Sequence, residues 1–421
     1  MSKRMKGITK LRTYFLLVGF FLFSSFLFGE YNADVELFSN LGQIYLDSSD
    51  DWIYQSQTGT SVLVRPYYSF DEKFSFDGQL ELLLWEIFPQ IETTSTVESE
   101  LVQVSLDLLF KDKLGVGLGK RKIDFGYQGY FQPVRLGNLI QDKQFLFEKG
   151  VDYSQVGNTL GVMSFYLDFQ LTGWESPVQL QSSLYSIMLD DQLFFGSRNY
   201  YLIELEAMGS FWNCTFLGAS GGEAFRDIGV NDRNNYYTRR PAFAFLGSLI
   251  LPGNFLYFSE VLLRQESILP SWEENSRVDY REDLYISLTE RIEWQKNLYP
   301  IQLRWHGEYW YNGEGMDRRD LTDFCRSQGV VLEENNWGWK MGKHSITSLG
   351  GLSYDPWNLD FQFRYTRNLQ VNMSRLEWAV RWALDPVEIS FAYEYWYLDG
   401  YFKHLIKQQT QGVYLALSAK L

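Results

Sequence analysis

Residues 218–222 read Gly-Ala-Ser-Gly-Gly, which matches the Gly-x-Ser-x-Gly pattern of a nucleophilic serine. That chemistry needs Ser220 at a sharp turn between a strand and a helix, with a histidine and an acid in reach. No helical pattern follows the run, and no spacing links it to His306, His344 or His404. We therefore interpret the run as glycine-rich turn chemistry and predict that the chain is not an enzyme. Neither a phosphate-binding loop nor zinc-ligand spacing occurs, so we predict no cofactor and no metal.

Charged and apolar side chains alternate in many segments, and this spacing favours a different chemistry. Residues 357–366 are apolar or aromatic at every odd position and polar or charged at every even one. Such a period of two predicts a strand with one apolar face and one polar face. No helical segments are available to cover the apolar faces. We therefore predict that these faces meet lipid and that the polar faces enclose an aqueous lumen.

The same alternation recurs along the chain and predicts an all-β fold. We predict a transmembrane antiparallel up-and-down β-barrel of about 18 strands (16–18), an even number as single-chain bacterial barrels have. The aromatic content of 18% and hydrophobic content of 45% suit a sheet that is half in lipid and half in water. The predicted strands are 34–46, 59–69, 73–88, 99–110, 113–122, 159–172, 178–189, 199–208, 211–219, 239–251, 255–265, 283–294, 301–311, 343–353, 357–367, 374–384, 387–397 and 411–421.

The predicted connections alternate between short and long. The short ones are rich in Gly, Pro, Asn and Asp, which favour turns and belong to the periplasmic side. Connections 295–300 and 368–373 are equally long, so length alone does not sort them. Strict alternation places both termini in the periplasm and the long loops outside: 47–58, 89–98, 123–158, 190–198, 220–238, 266–282, 312–342, 368–373 and 398–410.

The N-terminus has the pattern of a secretory signal. Five basic residues precede the mostly apolar segment Tyr14–Phe28. We predict cleavage near Gly29, with residues 1–29 as a signal peptide and 30–421 as the barrel; the alternative is one anchoring helix, for which the segment is short. Cleavage would change the formal net charge from -14 to -19. So acidic a chain argues against nucleic acid as a partner.

The last strand completes a resemblance. Val413, Leu415, Leu417, Ala419 and Leu421 share one face at the very end of the chain. Together with the signal segment and the eighteen alternating segments, this pattern resembles Gram-negative outer-membrane porins and porin-like transport barrels. Such families usually end in an aromatic residue, so Leu421 indicates a divergent lineage.

The resemblance implies location in the outer membrane of a diderm bacterium, surrounded by lipid. It implies a channel for passive diffusion of small hydrophilic solutes, and recognition of the C-terminal strand by the outer-membrane assembly machinery. It leaves a monomer and a homotrimer open. The alternative is a surface-exposed adhesin or receptor barrel with a closed lumen, its function in loops 220–238, 312–342 and 398–410.

Lumen-facing charges are unevenly placed in the sequence. We predict an acidic wall from the first half of the chain and a basic wall from the second, which would set up a transverse field across the pore. The alternative is a solvated lining with salt bridges between neighbours. The predicted pore-lining residues are Asp77, Glu81, Asp107, Asp168, Glu204 and Glu206 on the acidic wall, and Arg304, Arg364, Arg375 and Arg381 on the basic wall.

The longest connection, 123–158, is the predicted constriction. The resemblance implies a lumen narrowed by a long loop. Gly115, Gly117 and Gly119 face inward just before it, which we interpret as room for another backbone against the wall. The alternative is a loop that lies outside, with glycines serving strand curvature. The charged candidates in this loop are Asp124, Arg135, Asp142 and Lys143.

Overall fold

The structure is a computed structural model of the 421-residue chain. The predicted signal peptide, 1–29, lies outside the described residues. Within the described part, no helix is long and apolar enough to cross a membrane. The described residues are 30–46, 51–71, 74–89, 96–110, 113–121, 123, 162–172, 176–188, 199–221, 241–265, 271–272, 278–279, 284–313, 315, 332–333, 342–370, 373–397, 406–407 and 409–420.

Eighteen strands form one antiparallel sheet, which confirms the predicted fold class and strand number. Two pairs of two-residue strands, Ser271–Trp272 with Val278–Asp279 and Leu332–Glu333 with Ile406–Lys407, lie outside it. The sheet strands are β1 Glu30–Leu46, β2 Asp51–Asp71, β3 Phe74–Pro89, β4 Thr96–Phe110, β5 Leu114–Arg121, β6 Val162–Gln170, β7 Gln179–Met188, β8 Asn199–Met208, β9 Trp212–Gly221, β10 Ala242–Leu251, β11 Phe255–Arg264, β12 Tyr285–Leu298, β13 Ile301–Asn312, β14 His344–Tyr354, β15 Leu359–Asn368, β16 Met373–Leu384, β17 Val387–Tyr397 and β18 Gln409–Lys420.

The strands pair in chain order around the sheet, and the last strand pairs with the first. Each strand pairs with the one before it and the one after it. The last strand, β18, then pairs with β1, with Leu415 opposite Leu41. The ring leaves no strand with an unpaired edge, as a sheet in hydrocarbon requires.

Several strands extend beyond their predicted ends, and in two of them the extension overturns a predicted connection. β2 begins at Asp51, so the predicted long loop 47–58 is wrong; Gln55 already pairs with Gly42 of β1. β12 continues to Leu298, so the predicted connection 295–300 shrinks to residues 299–300. Neither extension alternates, since residues 51–58 read Asp-Trp-Ile-Tyr-Gln-Ser-Gln-Thr and residues 295–298 read Gln-Lys-Asn-Leu. Backbone hydrogen bonds hold a ladder together, so it continues past the point where the side-chain pattern stops.

The two faces of the sheet reverse the usual arrangement of a soluble protein. Apolar side chains point outward and stay exposed, as with Phe216 at 54%, Phe243 at 56% and Phe363 at 52%. Polar side chains point inward and are buried, as with Thr366 at 0% and Glu394 at 3%. The outer surface therefore matches acyl chains, and the inner surface can be wetted.

The inward glycines of β5 make room for residues of the neighbouring strands. The prediction that they leave space for an inserted loop is therefore wrong. A Cβ at Gly117 would overlap the ring of Tyr166 and the carboxylate of Asp107. Gly119 has φ +130°, and a Cβ there would overlap the backbone of Val104. The space at these glycines is already filled by neighbouring strands. Glycine is needed because side chains from β4 and β6 cross the strand.

Gly117→Ala should destabilise the barrel. The added methyl group must displace Tyr166, whose hydroxyl donates to Asp107 Oδ1 at 2.8 Å. We expect a loss of about 2 kcal/mol in the free energy of unfolding, measured by urea titration of the refolded barrel. Gly350→Ala is the matched control, because a Cβ there meets no atom within 4 Å. Equal stability of the two variants would contradict this account of Gly117.

Candidate solute pathway

The predicted basic residues lie on β13, β15 and β16, and register places them on the inner face. Their exposure differs widely. Side-chain exposure is 38% for Arg304, 25% for Arg364, 9% for Arg375 and 47% for Arg381. Arg304, Arg364 and Arg381 can therefore meet a solute in the lumen, whereas Arg375 is enclosed by the wall.

Each of these arginines contacts a carboxylate on a strand one or two places away in the sheet. Arg304 pairs with Asp360, and it also donates from Nη2 to Ser353 Oγ at 3.2 Å. Arg381 Nε lies 3.7 Å from Glu388 Oε2. Carboxylates therefore lie among the arginines of the basic wall. This arrangement matches the alternative prediction, a lining with salt bridges between neighbours.

Arg375 joins a buried network between β15 and β18. Its Nη2 lies 2.7 Å from Glu377 Oε1 and 2.7 Å from Glu394 Oε2. Arg364 Nη1 reaches Glu377 Oε2 at 3.2 Å, and the Tyr414 hydroxyl donates to Glu394 Oε1 at 2.9 Å. Two arginines and two carboxylates thus neutralise one another within the wall.

A ring contact also fixes Arg375. Its guanidinium lies 4.7 Å from the centre of the Trp396 ring. Trp396 is 3% exposed, so its inward ring packs under Arg375 and cannot stack on a passing solute. Sequence reasoning placed Arg375 on the inner face but could not find this network, because its partners lie on strands whose register only the fold sets.

Small side chains form a shallow depression between the exposed arginines. Ala379, Ala392 and Ala416 line it, with Gln362 beside them. Asp360, Arg381 and Ser390 also line it, as do Arg364, Glu377 and Tyr414. The depression offers a solute both signs of charge and hydroxyl groups beside three alanines.

The predicted acidic residues whose side chains are described lie on β4, β6 and β8. Asp107 accepts a hydrogen bond from Tyr166. On β8, Glu204 Oε2 accepts from the Tyr185 hydroxyl at 3.1 Å, and Glu206 Oε1 accepts from Asn213 Nδ2 at 2.8 Å. The Tyr185 and Asn213 side chains are neutral, so these two hydrogen bonds hold Glu204 and Glu206 in place without supplying a countercharge.

Register aligns the acidic residues on the inner face. Asp168 lies opposite Ser183, which lies opposite Glu204. Strands β6 to β9, as the structure describes them, contain no lysine or arginine on either row. Asp77 of β3 lies opposite Asp107 in the register, and Glu81 lies further along β3, opposite Gln103.

An apolar cluster lies on the inner face of β7 to β11, a feature that the alternation did not predict. Its side chains are almost fully buried, and they include Ile187 at 0% and Leu262 at 1%. Ile123, the first residue of the predicted constriction loop, belongs to the same cluster. The candidates Asp124, Arg135, Asp142 and Lys143 lie outside the described residues.

The residues considered for hydrolytic chemistry are separated. Ser220 lies within β9, opposite Tyr201, so the predicted glycine-rich turn is wrong and no strand-to-helix elbow forms there. His306 faces inward, 3.5 Å from Glu308, and His344 lies on β14 beside Tyr309. His404 lies outside the described residues. Within the described part, no group of three or more His, Cys, Asp or Glu side chains could hold a metal ion.

Ring closure, an apolar outer band and a charged inner face define the class: a transmembrane β-barrel with a polar lumen. No family model matches the sequence, and no curated protein matches it. Among solved structures, OccAB1 of Acinetobacter baumannii matches with a TM-score of 0.53 at 8% identity, over 93% of this chain and 96% of that chain. OccAB3 of the same organism matches with a TM-score of 0.50 at 10% identity, over 93% and 99%.

At such low identity these matches show the fold. The chain has the fold of a porin-like outer-membrane β-barrel, which confirms the fold that the resemblance implies. The exposed apolar band is the surface with which such a barrel contacts outer-membrane lipid.

Arg375→Gln should destabilise the barrel far more than Arg381→Gln. Removing Arg375 takes the arginine away from the buried Glu394 and leaves Glu377 with Arg364, which costs about 3 kcal/mol. Arg381 is half exposed and pairs at 3.7 Å, so its loss should cost at most about 1 kcal/mol. Urea unfolding of both variants measures the difference. A smaller loss for Arg375→Gln than for Arg381→Gln would contradict the buried network.

Proposed function

We propose that this chain is an outer-membrane channel through which small hydrophilic solutes diffuse passively, with a preference for cations over anions. The observation that carries the proposal is the inner face, where charged and polar side chains follow the strands across the membrane. A barrel of eighteen strands leaves an aqueous interior unless loops fill it. No part of this proposal involves catalysis or a cofactor.

Cation preference follows from the balance of inward charge. Carboxylates outnumber arginines among the described inward side chains, and the arginines of the basic wall are paired. The carboxylates are Asp107, Asp168, Glu204, Glu206, Glu260, Glu293, Glu308, Asp360, Glu377, Glu388 and Glu394, and the arginines are Arg65, Arg264, Arg291, Arg304, Arg364, Arg375 and Arg381. An excess of one sign raises the local concentration of the opposite ion.

The proposal also covers export of the chain, its assembly in the membrane and the width of its lumen. Residues 1–29 act as the signal peptide that delivers the chain to the periplasm. The assembly machinery recognises β18, whose Leu415 and Leu417 point outward at 45% and 46% exposure. Loop 123–158 folds inward and narrows the lumen, and the burial of Ile123 in the inner apolar cluster supports this direction.

Single-channel recording in planar bilayers tests the channel. We expect discrete open steps and a reversal potential of the sign set by cations in a salt gradient. The double variant Glu204→Gln with Glu206→Gln should lower the cation-to-anion permeability ratio by about two-fold, because it removes two inward carboxylates. Replacing Arg304, Arg364 and Arg381 together by Gln should raise that ratio.

Gln181→Ala is the matched control for the carboxylate variant, since Gln181 lies opposite Glu206 and is uncharged. It should leave the reversal potential unchanged. An anion preference of the native protein would overturn the charge argument. A folded but silent barrel would favour the adhesin, whose loops 220–238, 312–342 and 398–410 lie at the long-loop end.

Deleting residues 124–158, with Ile123 retained, tests the constriction. If the loop narrows the lumen, single-channel conductance should rise, because the resistance of a pore is set by its narrowest part. Deleting 222–238 from another long loop is the control and should leave conductance as it is. Unchanged conductance after the first deletion would remove the constriction from the proposal.

A further inference from the structure

Alanines from three neighbouring strands meet in the depression between the exposed arginines. Ala379 of β16 lies opposite Ala392 of β17 on one side and opposite Gln362 of β15 on the other. Ala416 of β18 lies opposite Ser390, at the next inward position of β17. Because these side chains end at a methyl group, they leave a concave surface on the inner face in which a small solute can sit.

The charged side chains that line the depression cancel one another. Two are carboxylates, Asp360 and Glu377, and two are guanidinium groups, Arg364 and Arg381. An ion of either sign that entered the depression would lose part of its hydration and would meet no excess of the opposite charge. A polar solute without net charge avoids most of that cost.

The two carboxylates are also occupied by donors from the wall. Asp360 accepts hydrogen bonds from three neighbouring side chains, and Glu377 contacts two arginines. An ammonium group on a solute would have to displace these donors before it could pair with either carboxylate. The depression is therefore poorly suited to an amine, although the lumen as a whole favours cations.

Three polar side chains of the depression keep hydrogen-bonding capacity for a solute. The Nε atom of Arg381 lies 3.7 Å from Glu388 Oε2, which is beyond hydrogen-bond distance. Within the described part of the chain, no hydrogen bond engages the Ser390 hydroxyl or the side-chain oxygen of Gln362. The depression thus offers guanidinium donors, an amide acceptor and a hydroxyl that can donate and accept.

A polyhydroxyl solute matches both the polar groups and the methyl groups. Each hydroxyl of a sugar can accept from Arg381 or donate to Gln362, and the C–H groups of its ring are apolar, as the alanine methyl groups are. A carboxylate would match Arg381 alone. It would also be repelled by Glu388 and by Asp360, which lies opposite Arg381 in the register.

We propose that the depression is a binding site for a neutral sugar, in which Gln362, Arg381 and Ser390 hydrogen-bond to the hydroxyl groups and Ala379 contacts the ring. This assignment rests on the channel proposed above, whose solute it narrows to a chemical class. A site along a diffusion path must bind weakly enough to release its solute. We therefore expect a dissociation constant on the order of 1 mM.

Saturation-transfer difference NMR measures this binding without any current through the pore. The full-length protein is used in a detergent that has no sugar headgroup. D-glucose should give signals that saturate with concentration, whereas acetate and methylammonium at the same concentrations should give signals at least ten-fold smaller. The absence of a glucose signal would overturn the proposal, and so would stronger binding of acetate than of glucose.

Substitutions in the depression test where glucose binds. Ala379→Leu should abolish the glucose signal, because the larger side chain fills the concave surface. Gln181→Leu is the matched control: it places the same side chain on the inward row of β7, opposite Glu206, and should leave binding unchanged. Ser390→Ala keeps the depression open and removes one hydroxyl, so it should weaken binding about five-fold. Unchanged binding in both Ala379→Leu and Ser390→Ala would overturn the proposal.

Planar-bilayer recording separates the sugar site from the channel. Glucose should lower the single-channel current below the level set by the conductivity of the solution, with the same half-saturation as in the NMR titration, and Ala379→Leu should remove this extra block. Open steps that glucose leaves unchanged would remove the sugar site from the path and leave the channel standing. Glucose binding in detergent by a barrel that gives no open steps would support the site and contradict the channel.

Discussion

Backbone hydrogen bonding in hydrocarbon is the constraint on which this structure depends. A strand in lipid has no water to satisfy its amides, so every strand needs a neighbour on both sides. The pairing of β18 with β1 meets that need by closing the ring. Closure then fixes the side chains, since each strand must turn one row outward and one row inward. The composition of the two faces follows from what each row contacts.

The sequence predicts the number and order of the strands because outward rows must be apolar over the thickness of the membrane. It fails at the strand ends for the same reason. Residues 51–58 and 295–298 lie beyond the region where an apolar row is required, so their side chains carry no alternation. The backbone ladder nonetheless continues through them.

Side-chain contacts between strands along the solute pathway could not be predicted from the sequence. Alternation places Arg375 and Gly117 on the inner row, but their surroundings depend on register. One residue of slip would separate Arg375 from Glu394, and Tyr166 would no longer cross Gly117. The inner apolar cluster around Ile187 was missed because its strands carry apolar residues on both rows.

Register also decides what a passing ion would encounter. Charges on adjacent strands interact over 2.7 to 3.7 Å, as between Arg375 and Glu394 or between Arg381 and Glu388. Charges on opposite walls interact across water, where screening acts over about 8 Å at physiological ionic strength. The arginines of β13 to β16 are therefore neutralised mainly by their neighbours and contribute little to a field across the lumen. The carboxylates of β8 accept from neutral donors instead, so they are better placed to set the sign of the pore. A transverse field requires unpaired charge on both walls of the pore. Because the arginines are paired within their own wall, the excess of carboxylates instead gives the lumen a net attraction for cations.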